Sequence, residues 1–325
     1  MPTFCRHNRL VQNCPICSRE QSVELRAVLS SSAPSSGRPR QPAAKKSGTN
    51  HGRSTGVRVR RLARGADDGY HSRLVPGLKS SVDAERLAEE LAFAATRLRL
   101  LSVDPPGLYA EVAGEGDLEE RTWLAFLIAY LGPLDAEDPF AGISAARTSW
   151  ASGQSPQLDA AEAGPRTAFD PGQGTRTIDA YRAWAGRAGS QAAAFTGEAG
   201  WTPERRFARA YERLGLPGLT REARFDVLVT LGRLGVYDLR ADALQFGGAN
   251  ETTIAAKRAL GIGDSLLLER RAAELAEACG LPLEALDLGL HNWGTDHRAT
   301  AGLGPETEPD ADSLESALTA LGLGD

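Results

Sequence analysis

Val82, Leu87, Leu91, Ala95 and Leu98 recur at the spacing of one helix face, with Ser81 placed to cap it. The same period returns downstream. The stretch "LEERTWLAFLIAYLGP" reads as a strongly apolar helix ending at Gly132-Pro133, and "DPFAGISAARTSWASG" reads as another. Residues 153–174 hold Pro, Gly and Ser and read as a long loop. Further helices are expected over 176–195, 203–214, 220–234, 251–260, 265–279 and 283–293. Leu283, Leu286, Leu290 and Trp293 follow one helical face and make a core stripe, with Trp293 packed inside and His291 as a packed or hydrogen-bonded neighbour. Strand signals are few, and "VYDLRADALQFG" is the one stretch that reads as an irregular or hairpin insert. The expectation is an all-α body.

The first twenty residues obey a different logic. Cys5, His7, Cys14 and Cys17 form a Cys-x-His-x6-Cys-x2-Cys pattern in a chain with only four Cys and five His. Side chains alternate along an extended "CRH", so Cys5 and His7 face one side. Pro15 sets the turn of "CPIC". Four such ligands suit a tetrahedral structural zinc site with no position left for water. So short a segment buries too little apolar surface to fold unaided, and Zn²⁺ would supply the missing energy.

Charge is sorted along the chain. Residues 1–66 carry thirteen Lys/Arg against two Asp/Glu, and the remainder carries 24 against 40. The stretch "SSSAPSSGRPRQPAAKKSGTNHGRSTG" cannot offset its ordering entropy and reads as a disordered linker. It leads into "VRVRRLARG", where Arg58, Arg60 and Arg61 are suited to a phosphate backbone. The resulting plan is a zinc knuckle over 1–22, a disordered basic linker over 23–66, a helical domain over 67–298 and an acidic tail over 299–325. No run of 18 apolar residues is present and no apolar leader opens the chain, so the expected location is cytoplasmic, with association to the nucleoid, and no membrane partner. Walker, GxGxxG, HExxH and GxSxG patterns are absent.

One junction points to a function. In "YERLGLPGLTREARFDVLVTLGRLG" a helix ends near Leu214, "LPGL" turns, and a second helix starts at Thr220. This resembles the helix-hairpin-helix element of the DNA glycosylase superfamily. The resemblance implies that the backbone of Leu216, Pro217 and Gly218, with Thr220 capping the next helix, meets a DNA phosphate, and that Arg221 and Arg224 add positive charge. The upstream "RTWLAFLIAYL" and the downstream order of elements extend the likeness over about 80–298. More narrowly, the "CRHNRLVQNCPICSRE" opening and "AAKRALGIGD…LDLGLHNWG" resemble the third clade of alpha-glutamyl/putrescinyl thymine pyrophosphorylases, implicated in attaching amines to thymine in DNA. The implied function is a base-directed DNA-binding protein, a base-modifying transferase or pyrophosphorylase or a glycosylase-like enzyme, acting on thymine or a modified thymine. The alternative is a non-catalytic DNA-binding or protein-interaction adaptor on the same fold, with a protein partner held by the zinc knuckle.

Aligning "RALGI" with the family's "RLG" puts Asn250 where a glycosylase carries its catalytic Asp. Glu222 falls in the place of the Schiff-base lysine. Asn250 cannot ionise, so another carboxylate is needed. Asp238, Asp242, Glu251 and Asp264 are available. Asp264, at an expected helix N-terminus after "GIG", and Asp242 are the candidates carried forward, together with Lys257, the one lysine after Lys79, for a phosphoryl or pyrophosphoryl group. The bland readings are a helix cap for Asp264 and a solvated face for Lys257.

Overall fold

In the computed structural model, the described residues are 65–159, 161–304 and 306–324. The proposed zinc ligands, the linker and Arg58, Arg60 and Arg61 lie outside them. Contacts divide the chain into Met1–Val59 and Arg60–Asp325, and the described residues all belong to the second unit.

Among the described residues there are twelve helices and no strand. They are α1 (Ser81–Val103), α2 (Leu108–Ala113), α3 (Leu118–Leu131), α4 (Ala141–Ala146), α5 (Gly174–Ala188), α6 (Gln191–Thr196), α7 (Pro203–Arg213), α8 (Arg221–Arg233), α9 (Glu251–Leu260), α10 (Ser265–Ala278), α11 (Ala285–Gly294) and α12 (Ala311–Leu321). The "VYDLRADALQFG" insert is irregular, and Glu269 holds it by accepting the amides of Leu244 and Phe246 at 2.7 and 2.6 Å.

Two groups of helices form. In one, α1 packs against α11 and α12, while α9 bridges α11 and α10. In the other, α3 packs against α2, α4, α6 and α8, and α7 packs against α6 and α8. Contact of α1 with α8 joins the groups. Every residue of α3 from Thr122 to Leu131 is buried, as an all-round apolar helix requires. Its Trp123, Phe126 and Tyr130 stack in sequence, and Tyr181 of α5 lies against Phe126 at 3.7 Å between ring centroids. Gly289 lets α11 approach α1 closely, because a Cβ there would lie 3.0 Å from the Leu91 Cα.

Four expectations are corrected. Val82 is 62% exposed, because α1 is clasped by neighbours on its other faces and this position faces none. Ser81 lies inside α1 rather than before it. Its N–H and hydroxyl both donate to Asp68, at 2.9 and 2.6 Å, so Asp68 caps the helix from outside. The expected helix over 176–195 is divided at Gly189, which is left-handed, and Ser190 caps a new helix. The acidic end, expected as a tail, contains α12. Asp310 caps it, Ala317 and Leu321 are buried, and the Tyr70 hydroxyl donates to the Leu321 carbonyl at 2.6 Å.

Candidate functional site

The turn "LPGL" joins α7 to α8. Gly218 has φ +76°, and a Cβ on it would lie 2.2 Å from Thr177 Oγ1 of α5. Only glycine satisfies both the conformation and the space. Leu219 is buried and anchors the turn, while Pro217, Gly218 and Thr220 are exposed and Leu216 is half-buried. The Thr220 hydroxyl accepts the Ala223 amide at 3.2 Å, so Thr220 is the cap. Arg224 lies 4.4 Å from the centre of the Tyr211 ring and stays beside the turn.

Arg221 does not. It is 6% exposed, and its guanidinium donates to Asp287 and to the Leu244 carbonyl. Its expected place on the DNA surface is corrected, because an internal ion pair consumes it. Asp287 of α11 also accepts from Arg166, which sits within the long loop and donates a further bond to Asp226 of α8 at 2.8 Å. Burial works against the Arg166 charge, but Asp226 and Asp287 outweigh it and raise the pKa. Burial likewise pushes the Asp226 carboxyl up, and Arg166 and Arg97 more than reverse it. The network ties α8 and α11 to the loop.

Above it opens a pocket of about 280 Å³ lined by Arg166, Thr220, Glu222, Asn250, Glu251 and His291, among others. That is near the lower end of small-ligand pockets and suits one heterocycle. The hairpin's Thr220 forms part of its rim. Asn250 caps α9, accepting the Thr253 amide at 2.8 Å, which sets Glu251 in the first helical turn. Burial and the neighbouring Glu222 raise the Glu251 pKa, against the pull of Arg166. Burial and Arg166 lower that of His291 to about 3. Its Nδ1 lies 3.7 Å from Glu251, too far for a hydrogen bond, and a neutral imidazole makes no ion pair. A carboxylate with a raised pKa and a neutral imidazole on the wall of one pocket can both exchange protons with a bound group.

The three candidates taken from the sequence do not converge here. Asp264 is exposed and caps α10, accepting the Leu266 and Leu267 amides at 3.0 Å each. Lys257 is half-buried further along α9, and Asp242 is exposed in the insert. None lines the pocket. Glu222 and Glu251, noted in the sequence only as positional equivalents or spares, take that place. Asp287 had a signal of its own, an acid inside the apolar "LEALDLGLHNW", which calls for a buried partner.

Residues 167–296 match the model of a family described as alpha-glutamyl/putrescinyl thymine pyrophosphorylase clade 3. The resemblance read from the sequence thus holds over this segment, which is narrower than 80–298. It runs from α5 through α11 and includes Thr220, Glu222, Asn250, Glu251 and His291. No curated protein and no solved structure matches the chain.

The buried imidazole makes stability depend on pH. The folded pKa of about 3 lies below the ordinary 6.5, so His291 contributes stability that is full above 6.5 and lost as pH falls toward 3. Asp226, also depressed, acts in the same direction at lower pH. Urea unfolding at pH 7 and pH 4.5 should show a loss in which His291 accounts for about 2 kcal/mol. A His291→Gln protein should lose correspondingly less over that window. Equal losses in the two proteins would remove His291 from this role.

Proposed function

We propose that the body is a DNA-directed enzyme acting on thymine or a modified thymine. One observation carries the reading. The segment matching a thymine pyrophosphorylase family brings Glu222, Glu251 and His291 together in one pocket that also takes in Thr220, the end of the "LPGLT" turn. The fold is that of a helix-hairpin-helix glycosylase relative in this reading. The exposed turn and Arg224 hold a DNA phosphate, and a flipped base enters the pocket. Glu251 takes or gives the proton of the reacting group. Where an amine is attached, its nitrogen bonds to the 5-methylene carbon of a pyrophosphorylated 5-hydroxymethyluracil as the C–O bond breaks, pyrophosphate leaves, and Glu251 accepts the proton the amine loses.

The test is mass spectrometry of nucleosides after incubation with DNA carrying thymine, 5-hydroxymethyluracil or the pyrophosphate ester of the latter, each with glutamate or putrescine. A new protein-dependent thymine derivative is expected. Unchanged nucleosides from all three DNAs would overturn the enzymatic reading. Among the described residues no helix is long and apolar enough to cross a membrane, and a cytoplasmic, nucleoid-associated protein fits a DNA substrate.

The N-terminal part serves this reading as a DNA grip. Cys5, His7, Cys14 and Cys17 hold one structural Zn²⁺, and the arm with Arg58, Arg60 and Arg61 supplies non-specific affinity. Metal analysis should give one zinc per chain and much less in a Cys14→Ser protein. Deleting residues 1–66 should weaken DNA binding and flatten its dependence on salt. Equal zinc in both proteins, or an unchanged salt slope, would refute the corresponding half.

A further inference from the structure

Three atoms around the pocket lack hydrogen-bond partners: Arg166 Nη1, Glu222 Oε1 and His291 Nδ1. Their residues are 6%, 7% and 4% exposed and all line the same pocket. Buried polar atoms in native proteins are nearly always paired, so three orphans on one wall need a cause. Arg166 cannot turn to find a partner. Asp226 holds its Nε and Asp287 its Nη2, which leaves Nη1 as a donor of fixed direction. Glu222 is close enough for its charge to act on Arg166 and on Glu251. Its Oε1 is an acceptor. The neutral His291 offers either a donor or an acceptor, according to tautomer.

A single ligand edge that satisfies Arg166 Nη1 and Glu222 Oε1 together presents a carbonyl and an N–H. The pyrimidine-2,4-dione ring does so, with N3–H set between two carbonyl oxygens. Cytosine has a lone pair at that nitrogen and would face the Glu222 carboxylate with like polarity. We infer that this wall reads the imide edge of a thymine or uracil ring, with Glu222 accepting from N3–H and Arg166 donating to an adjacent carbonyl oxygen. Glu222 is then the residue that selects the base, a separate task from the proton transfer assigned to Glu251. The inference rests on the pocket being the base site.

The shared chemistry is the imide edge, and its source is either a nucleotide flipped from DNA or a free nucleoside. The full-length protein is titrated with a labelled single-stranded oligonucleotide holding one thymine. Companion strands carry N3-methylthymine, cytosine or an abasic residue at that position. N3-methylation and cytosine should each weaken binding about tenfold or more, since each leaves a buried hydrogen-bonding group unpaired. Competition by free thymidine but not by N3-methylthymidine would also support imide recognition, with the nucleoside as source.

Thymine binding better than the abasic strand but no better than N3-methylthymine overturns the inference and leaves the base pocket standing. An abasic strand and free thymidine that bind as the thymine strand and N3-methylthymidine do overturns both. Glu222→Gln, checked for an unchanged helical spectrum, should narrow the preference for thymine over cytosine at least fivefold. A preference that survives in full removes Glu222 from base selection.

Discussion

Replacing Asp287 with alanine should lower the unfolding free energy of the protein by about 3–5 kcal/mol, among the largest losses a single substitution here can cause. Asp287 is 1% exposed and accepts from two guanidinium groups that are themselves buried. Its removal leaves Arg221 with backbone carbonyls alone and Arg166 with Asp226 alone. Both arginines are 6% exposed, so each would keep a buried charge with one partner fewer. The pair as a whole need not stabilise the fold relative to apolar packing, but breaking it strands buried charge. Asp287→Asn keeps the shape and one acceptor, so it should fall between wild type and alanine. Urea denaturation at pH 7 measures both. A loss below about 1 kcal/mol for alanine would show that the cations find other partners.

Replacing Glu251 with glutamine should cut product formation by about 10²–10⁴-fold, the range for loss of a general acid or base. DNA affinity should stay within a few-fold, since Glu251 lines the pocket and the exposed turn is untouched. The pH dependence gives the more specific signature. Burial and Glu222 raise the Glu251 pKa, so the limb it sets is displaced upward from that of a free carboxylate. Wild-type turnover should therefore fall as pH drops through that raised value. The residual turnover of Glu251→Gln should lack this limb. A variant with full activity, or one that keeps the same limb, would move the proton transfer to another group.

The helices from α7 to α10 were legible in the sequence to within a residue or two. Their boundaries are set by side chains that act locally, with Thr220, Asn250 and Asp264 each bonding the amides of the turn they open. Local chemistry also decided Asp264, whose bland reading as a cap is what the geometry supports. The exposed face of α1 was not legible, because which side of a long apolar helix stays wet depends on where α8, α11 and α12 land. The tail hid α12 because the acids that marked it as solvated also cap and flank a helix with only Ala317 and Leu321 buried.

At the site, the elements were found, while Asp242, Lys257 and Asp264 lie off the pocket. Anchoring on "RALGI" put Asn250 in the carboxylate position, one residue before Glu251. Arg221 looked like a surface charge because its partner Asp287 lies 66 residues further on, and nothing local announces the pair. Arg166, within a stretch read only as loop, was invisible for the same reason.

The pairing of α1 with α11 and α12 also has a consequence in time. The Trp293 indole bonds the Asp83 carbonyl across 210 residues of chain, and Asp310 bonds Thr96 across 214. At about 5–20 residues per second, α1 leaves the ribosome roughly 10–40 s before the helices that cover it. Helices α2 to α8 are made in between and hold most of their contacts among themselves. The nascent chain therefore assembles its middle first, while α1 waits with an apolar face uncovered. The group that holds His291 and Glu251 closes only after α9 and α11 are made, so a ribosome that stops before them releases a hairpin without its pocket.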